Sequence, residues 1–143
     1  MSKDELHSFN GIFLGRNVRT FCEVEYTDEF GQWWDSLDEA EQTSVATYVG
    51  LLEQNGPALK HPYSSGIHGS RHAHMRELRV QHAGRPYRVL YAFDPLRRAI
   101  LLIGGTKAGN NRWYEHYVPL SDKLYDIHLH SLRIEAGDHV KKI

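Results

Sequence analysis

Met75-Arg-Glu-Leu-Arg-Val-Gln-His-Ala-Gly-Arg-Pro-Tyr-Arg-Val-Leu-Tyr-Ala-Phe93 is the stretch that decides the fold. Its first seven residues alternate: Leu78 and Val80 face inward, while Glu77, Arg79 and Gln81 share the other face. A period of two marks a half-buried strand. His82-Ala-Gly-Arg85 turns the chain, and Tyr87–Phe93 returns as a second strand closed by Asp94-Pro95. Ala99-Ile-Leu-Leu-Ile103 reads as a third, mostly apolar strand ending at Gly104-Gly105. Connections this short predict an antiparallel meander.

Upstream of the meander the period changes. Thr20-Phe-Cys-Glu-Val-Glu-Tyr26 alternates imperfectly and reads as a strand, and Thr27-Asp28 offers a helix N-cap. Phe30, Trp33, Trp34 and Leu37 recur at helical spacing, which predicts a short helix with an aromatic face. Asp38 opens a second helix, with Glu41 three residues on as in a capping box. Val45, Tyr48, Val49 and Leu52 line one face of that helix, and Asn55-Gly56-Pro57 ends it. Residues 56–74 read as a long irregular stretch, a kind of loop that is often functional. Downstream, Arg112-Trp-Tyr starts a final helix whose stripe (Leu120, Leu124, Ile127, His128, Leu132) continues to about residue 135. Residues 1–18 read as a flexible leader and 136–143 as a tail. The expected fold is α+β: a small curved antiparallel sheet with an N-terminal helical hairpin packed on it, and a C-terminal helix.

The 143 residues are 41% hydrophobic and 24% charged, an ordinary globular composition for one domain. The longest apolar run is too short to span a bilayer, and the first residues do not form a signal peptide. Cys22 is the single cysteine and reads as a buried, inert thiol, so a reducing cytoplasm is the expected compartment. The net charge of −1 conceals a strong asymmetry. Residues 1–56 carry −8, residues 57–114 carry +8 and residues 115–143 carry −1. A basic middle segment favours a polyanion such as nucleic acid, unless the acidic half folds against it and cancels it.

Two constellations carry candidate chemistry. Arg76, Arg79, Arg85 and Arg88 lie on two adjacent strands. Arg76 and Arg79 point to opposite faces, as do Arg85 and Arg88, so Arg79 meets one partner-strand arginine on a single polar face. Guanidinium forks there suit phosphate oxygens; the competing reading is an ordinary ladder of salt bridges to Glu77. The second constellation is Gly104-Gly-Thr-Lys-Ala-Gly-Asn-Asn-Arg-Trp-Tyr114. Its glycines let a backbone approach a ligand, Lys107 and Arg112 bring charge, and Tyr114 brings a titratable phenol. The alternative is a glycine-rich turn with Trp113 and Tyr114 in the core. His72-Ala-His74 could pair on a metal, but neither a cysteine pair nor an HExxH frame supports a metal site. His74 and His82 are acid–base or base-stacking candidates, against a plain reading as solvated loop histidines.

Together these elements resemble the RelE/ParE toxin superfamily over about residues 19–135, closest to the phage-derived Gp49-like, HigB-type branch. Gly69-Ser-Arg71, Met75-Arg-Glu-Leu-Arg79, Gly84-Arg-Pro-Tyr-Arg-Val-Leu-Tyr-Ala-Phe-Asp94 and Ile103-Gly-Gly-Thr-Lys107 carry the resemblance. It implies a cytoplasmic toxin of a type II toxin–antitoxin system that cuts mRNA on the ribosome. The implied chemistry is attack by the RNA's 2′-hydroxyl, with no metal and no cofactor. It implies catalytic roles for Arg79, Lys107 or Arg112, and Tyr114, with Arg79 and Arg112 lowering the Tyr114 pKa so that the phenol can act as a base. RNA contacts are expected from Lys60, Arg71, His74, Arg76, Arg85 and Arg88, with Glu77 a further proton-transfer candidate. The implied partners are mRNA on the ribosome and a cognate antitoxin, often a helix-turn-helix protein. Two other readings stay open: a ParE-like topoisomerase inhibitor, and an inactive nucleic-acid- or protein-binding domain of the same fold.

Overall fold

A computed structural model describes residues 6–9 and 22–141, with side chains through residue 136. Among these residues the chain forms β1 (His7–Phe9), β2 (Val24–Tyr26), α1 (Asp28–Asp35), α2 (Glu39–Asn55), β3 (Ser64–Gly66), β4 (Arg76–His82), β5 (Arg85–Phe93), β6 (Ala99–Thr106) and α3 (Trp113–Lys141). The fold is α+β, a six-stranded sheet in the order β1-β2-β6-β5-β4-β3. The meander β4–β5–β6 is antiparallel as expected. Because β2 joins β6 in parallel, the sheet as a whole is mixed.

The caps read from the sequence are present. The Thr27 hydroxyl accepts from Phe30 N at 3.1 Å and donates to Leu102 O at 2.7 Å, which ties the start of α1 to β6. Asp38 and Glu41 form a complete capping box on α2, with bonds of 2.7 and 2.9 Å. Phe30, Val45, Val49 and Leu52 of the helical hairpin pack on Val24, Leu78, Val80, Val89, Tyr91 and Leu101. On the opposite face Trp113, Val118, Leu124 and Tyr125 of α3 pack on Leu90, Ala92, Ile100 and Leu102. Covered on both faces, β6 reads as an unbroken apolar run rather than as an alternation.

Four stretches differ from the sequence reading. Within residues 1–18, His7–Phe9 form β1, antiparallel to β2, and Phe9 is buried in the hairpin-side core. The rest of that stretch, like Thr20 and Phe21 of the expected strand, lies outside the described residues. The 56–74 segment contains a 3-10 turn (Gly56–Ala58) and β3, which pairs with β4. A three-residue strand is too short to show its own period. Finally, β6 runs through Gly104 and Gly105 to Thr106 instead of stopping before them. The backbone of α3 continues to Lys141, so the tail expected from residue 136 is helical as far as it is described.

A buried ion network joins the β5–β6 turn to α3. Asp94 accepts from the backbone N–H groups of Leu96 and Arg98, from the Arg98 guanidinium at 2.8 and 3.0 Å, and pairs with His128 Nε2 at 2.8 Å. Burial alone would raise its pKa, but the His128 and Arg98 hydrogen bonds outweigh it and hold the carboxyl at about 2. The unfolded value is about 3.9, so the stabilisation is present above that pH and is lost as pH falls through about 2. Asp94→Asn is expected to remove about 2 kcal/mol at pH 7. It should also flatten the loss of stability between about pH 4 and 2, read by denaturant titration across that range.

Candidate nucleic-acid site

Beyond the first strands of the meander, the α3-facing side of the sheet turns polar. Arg79 and Arg88 are cross-strand partners and Glu77 lies two residues from Arg79, so period two places all three on one face. Glu77 is 4% exposed and central to the cluster. Its Oε2 accepts from Ser65 Oγ at 2.8 Å and from Arg79 Nη1 at 2.9 Å. Its Oε1 accepts from Tyr114 OH at 2.5 Å. Arg88 is buried; its Nη1 donates to Tyr87 O at 3.0 Å, and its Nε lies 3.5 Å from Glu77 Oε1 without a hydrogen bond. Lys107 Nζ sits 3.5 Å from Tyr114 OH and 4.9 Å from the centre of that ring. Lys107 N donates to Pro86 O at 2.8 Å, and this bond holds the loop after β6 over the site.

One carboxylate therefore faces Arg79, Arg88 and Lys107. A single negative charge cannot balance three cations, so the cluster keeps a positive surplus suited to an anion. Burial and then the Arg88 charge lower the Lys107 pKa, Arg79 adds to this, and Glu77 opposes it. The Tyr114 pKa is raised, first by burial and then by the bond to Glu77 and its charge, with Arg88 only partly offsetting them. The direction is opposite to the one that the base role requires. Nor do Arg79 and Arg112 supply the compensating charge: Arg88 does, and the exposed Arg112 side chain has no bond to this cluster.

Of the sequence-derived residues, Glu77, Arg79, Arg88, Lys107 and Tyr114 converge. The others do not join them. Arg76 lies on the opposite face, with its Nε bonded to Ser64 Oγ at 3.1 Å. Arg85 donates to Tyr87 OH and pairs with Glu41 of α2. Arg71 is held by Asp126 of α3, as is His72 at 2.7 Å. Lys60 and His74 stand exposed on loops. His82 bonds Ser44 at 2.7 Å on the hairpin side. Cys22 is buried, and burial raises its pKa, as an inert thiol requires. Among the described residues no three His, Cys, Asp or Glu side chains gather as a metal site, and no helix is long and apolar enough to cross a membrane.

The glycine pair has a different use from the one its sequence suggests. A Cβ on Gly104 would lie 2.2 Å from the Trp33 ring, and one on Gly105 would lie 2.8 Å from Trp113 Nε1. These glycines make room for two tryptophans, one on each face of β6, rather than for a ligand.

A family model described as phage-derived protein Gp49-like matches residues 32–126, a range that includes α2, the meander and Tyr114. The chain belongs to this Gp49-like family. It is 43% identical over 93 residues to the putative toxin HigB3 of Mycobacterium tuberculosis, covering 64% of this chain and 80% of the relative. It is 38% identical over 104 residues to the putative toxin HigB2 of the same organism, covering 71% of this chain and 52% of that relative. These similarities place this Gp49-like chain in the HigB-type toxin branch. No solved structure matches it significantly.

Two features of the site go beyond the sequence reading. Glu77 reads there as a further proton-transfer candidate on the face it shares with Arg79, and the structure puts it at the centre of the cluster. The aromatic wall beside Arg79, built from Tyr48 and Tyr63, had no signal, because α2 and the 59–63 turn meet only in the folded chain.

Proposed function

We propose that this HigB-type toxin is a ribosome-dependent mRNA endonuclease. The observation that carries the reading is the linked set of Lys107, Tyr114, Glu77 and Arg79, each within 3.5 Å of the next and drawn from β4, the loop after β6 and the first turn of α3. In the reaction the RNA's 2′-hydroxyl attacks the adjacent phosphorus, the bond to the 5′-oxygen breaks, and a 2′,3′-cyclic phosphate remains. Arg79 and Lys107 hold the phosphate oxygens and stabilise the charge that grows on them, with Arg88 behind them. Tyr114 is kept protonated by its raised pKa and gives its proton to the leaving 5′-oxygen. Glu77, the carboxylate of the cluster, takes the proton of the 2′-hydroxyl. Exposed Lys60, Arg97 and Arg112 support docking on ribosomal RNA, since none has an ion-pair partner among the described residues. A cognate antitoxin, a helix-turn-helix protein in this reading, silences the toxin by setting an acidic segment over the basic face.

The test is cleavage mapping on programmed ribosomes, with naked mRNA as the control. Cuts at A-site codons that require ribosomes are expected, and Arg79→Ala should reduce them about 100-fold. No cleavage by folded wild-type protein would overturn the reading and leave inhibition of DNA gyrase, or binding without catalysis, as the activity to measure.

A further inference from the structure

Beside the phosphate cluster lies a recess of about 330 Å³ lined by Tyr48, His61, Pro62, Tyr63, Arg79, Gln81 and Arg88. It shares Arg79 and Arg88 with that cluster and opens at the edge of β4 beyond the short strand β3. The Tyr48 and Tyr63 rings stand 6.3 Å apart at 58°. Tyr63 is 43% exposed, an unusual position for a large ring with no hydrogen-bonded hydroxyl among the described residues. Arg79 N donates to Tyr63 O at 2.8 Å, so the tyrosine is fixed to the same strand residue that faces the phosphate. Gln81 shares the Arg79 face of β4, and its exposed side-chain amide has no partner among the described residues.

We infer that this recess is a base-binding subsite: it takes one unstacked base of single-stranded RNA next to the phosphate held by Arg79. The inference rests on the RNA-cleavage reading above and extends it to the substrate's base. Aromatic rings give every base a stacking surface, and a side-chain amide offers the donor and acceptor that read a base edge. The volume lies at the small end of the roughly 300–1,000 Å³ of ligand pockets, which suits a single base. Shared use of Arg79 fixes the distance between the bound base and the bound phosphate. The recess thus selects where the cut falls, while the Glu77–Tyr114 cluster makes it.

The test uses the full-length protein in two arms. In the first, a short single-stranded RNA blocked by 2′-O-methyl groups is titrated, alongside the same RNA carrying one abasic position. Wild type is expected to bind the intact RNA about ten-fold more tightly than the abasic one. Tyr63→Ala should bind both equally, and Tyr63→Phe, which keeps the ring, should restore the difference. In the second arm, on programmed ribosomes, Tyr63→Ala should raise KM about ten-fold with a much smaller change in kcat. Gln81→Ala should broaden the base found beside the cut. Base-dependent binding without any cleavage would uphold the subsite and overturn the endonuclease. Cleavage whose KM and cut-site pattern survive both alanine variants would overturn the subsite and uphold the endonuclease. Failure of wild type to distinguish the abasic RNA, with no cleavage, would overturn both.

Discussion

Tyr114→Phe is expected to slow single-turnover mRNA cleavage on ribosomes by about 100- to 1,000-fold, the usual worth of a positioned proton donor. The phenol is the group of the cluster best suited to protonate a leaving alkoxide. It is half-buried, its hydrogen bond runs to Glu77, and Lys107 lies 3.5 Å from its oxygen, ready to stabilise the phenolate left behind. The folded protein should tolerate the change. Glu77 keeps its bonds to Ser65 and Arg79, so the loss is one hydrogen bond, about 1 kcal/mol. The pH profile gives the sign. The raised Tyr114 pKa places its ionisation above the ordinary tyrosine value of about 10, so loss of the phenol proton should lower wild-type activity in that alkaline range and not near neutrality. The phenylalanine variant should lose the Tyr114 part of that limb and keep the part set by deprotonation of Lys107, whose pKa is lowered. If the variant cleaves at the wild-type rate, Tyr114 serves packing alone and the acid lies elsewhere.

Gly104→Ala is expected to cost about 3 kcal/mol and to lower the melting temperature by about 10 °C. The added carbon would sit 2.2 Å from Trp33 Cε3 and 2.3 Å from Cζ3, inside the indole rather than beside a flexible chain end. Trp33 cannot step aside freely, because Phe30 packs edge-on to it at 5.6 Å. Gly50→Ala is the contrast: in α2 a Cβ there meets nothing within 4 Å, so helix propensity should give a gain of about 0.5–1 kcal/mol. Thermal melts of the two variants separate steric conflict from a general effect of glycine replacement. Equal melting temperatures would mean that β6 shifts away from α1 without cost.

The legible parts of this protein were those whose signal is local. Alternation over residues 75–93 gave two strands and the shared face of Glu77 and Arg79, and the Asp38–Glu41 spacing gave the capping box. The same strand logic could not say which arginines stay available. Arg76, Arg85 and Arg71 read as RNA contacts beside Arg79 in sequence, yet Ser64, Glu41 and Asp126, 12 or more residues away along the chain, engage them. The glycine pair misled for a related reason: Gly104 and Gly105 suggest ligand approach until the two tryptophans beside them are seen.

The sequence by itself determined the helices α1, α2 and α3, the antiparallel meander and the convergence of Arg79 with a neighbouring arginine, because periodicity and caps depend on residues a few positions apart. Tertiary structure alone decided that β2 runs parallel to β6, that Lys107 and Tyr114 close over Glu77, and that burial and Glu77 raise the Tyr114 pKa. Those outcomes depend on burial and on charges brought together across 30 or more residues. No local pattern encodes them, because desolvation and Coulomb terms follow distance in space and not along the chain.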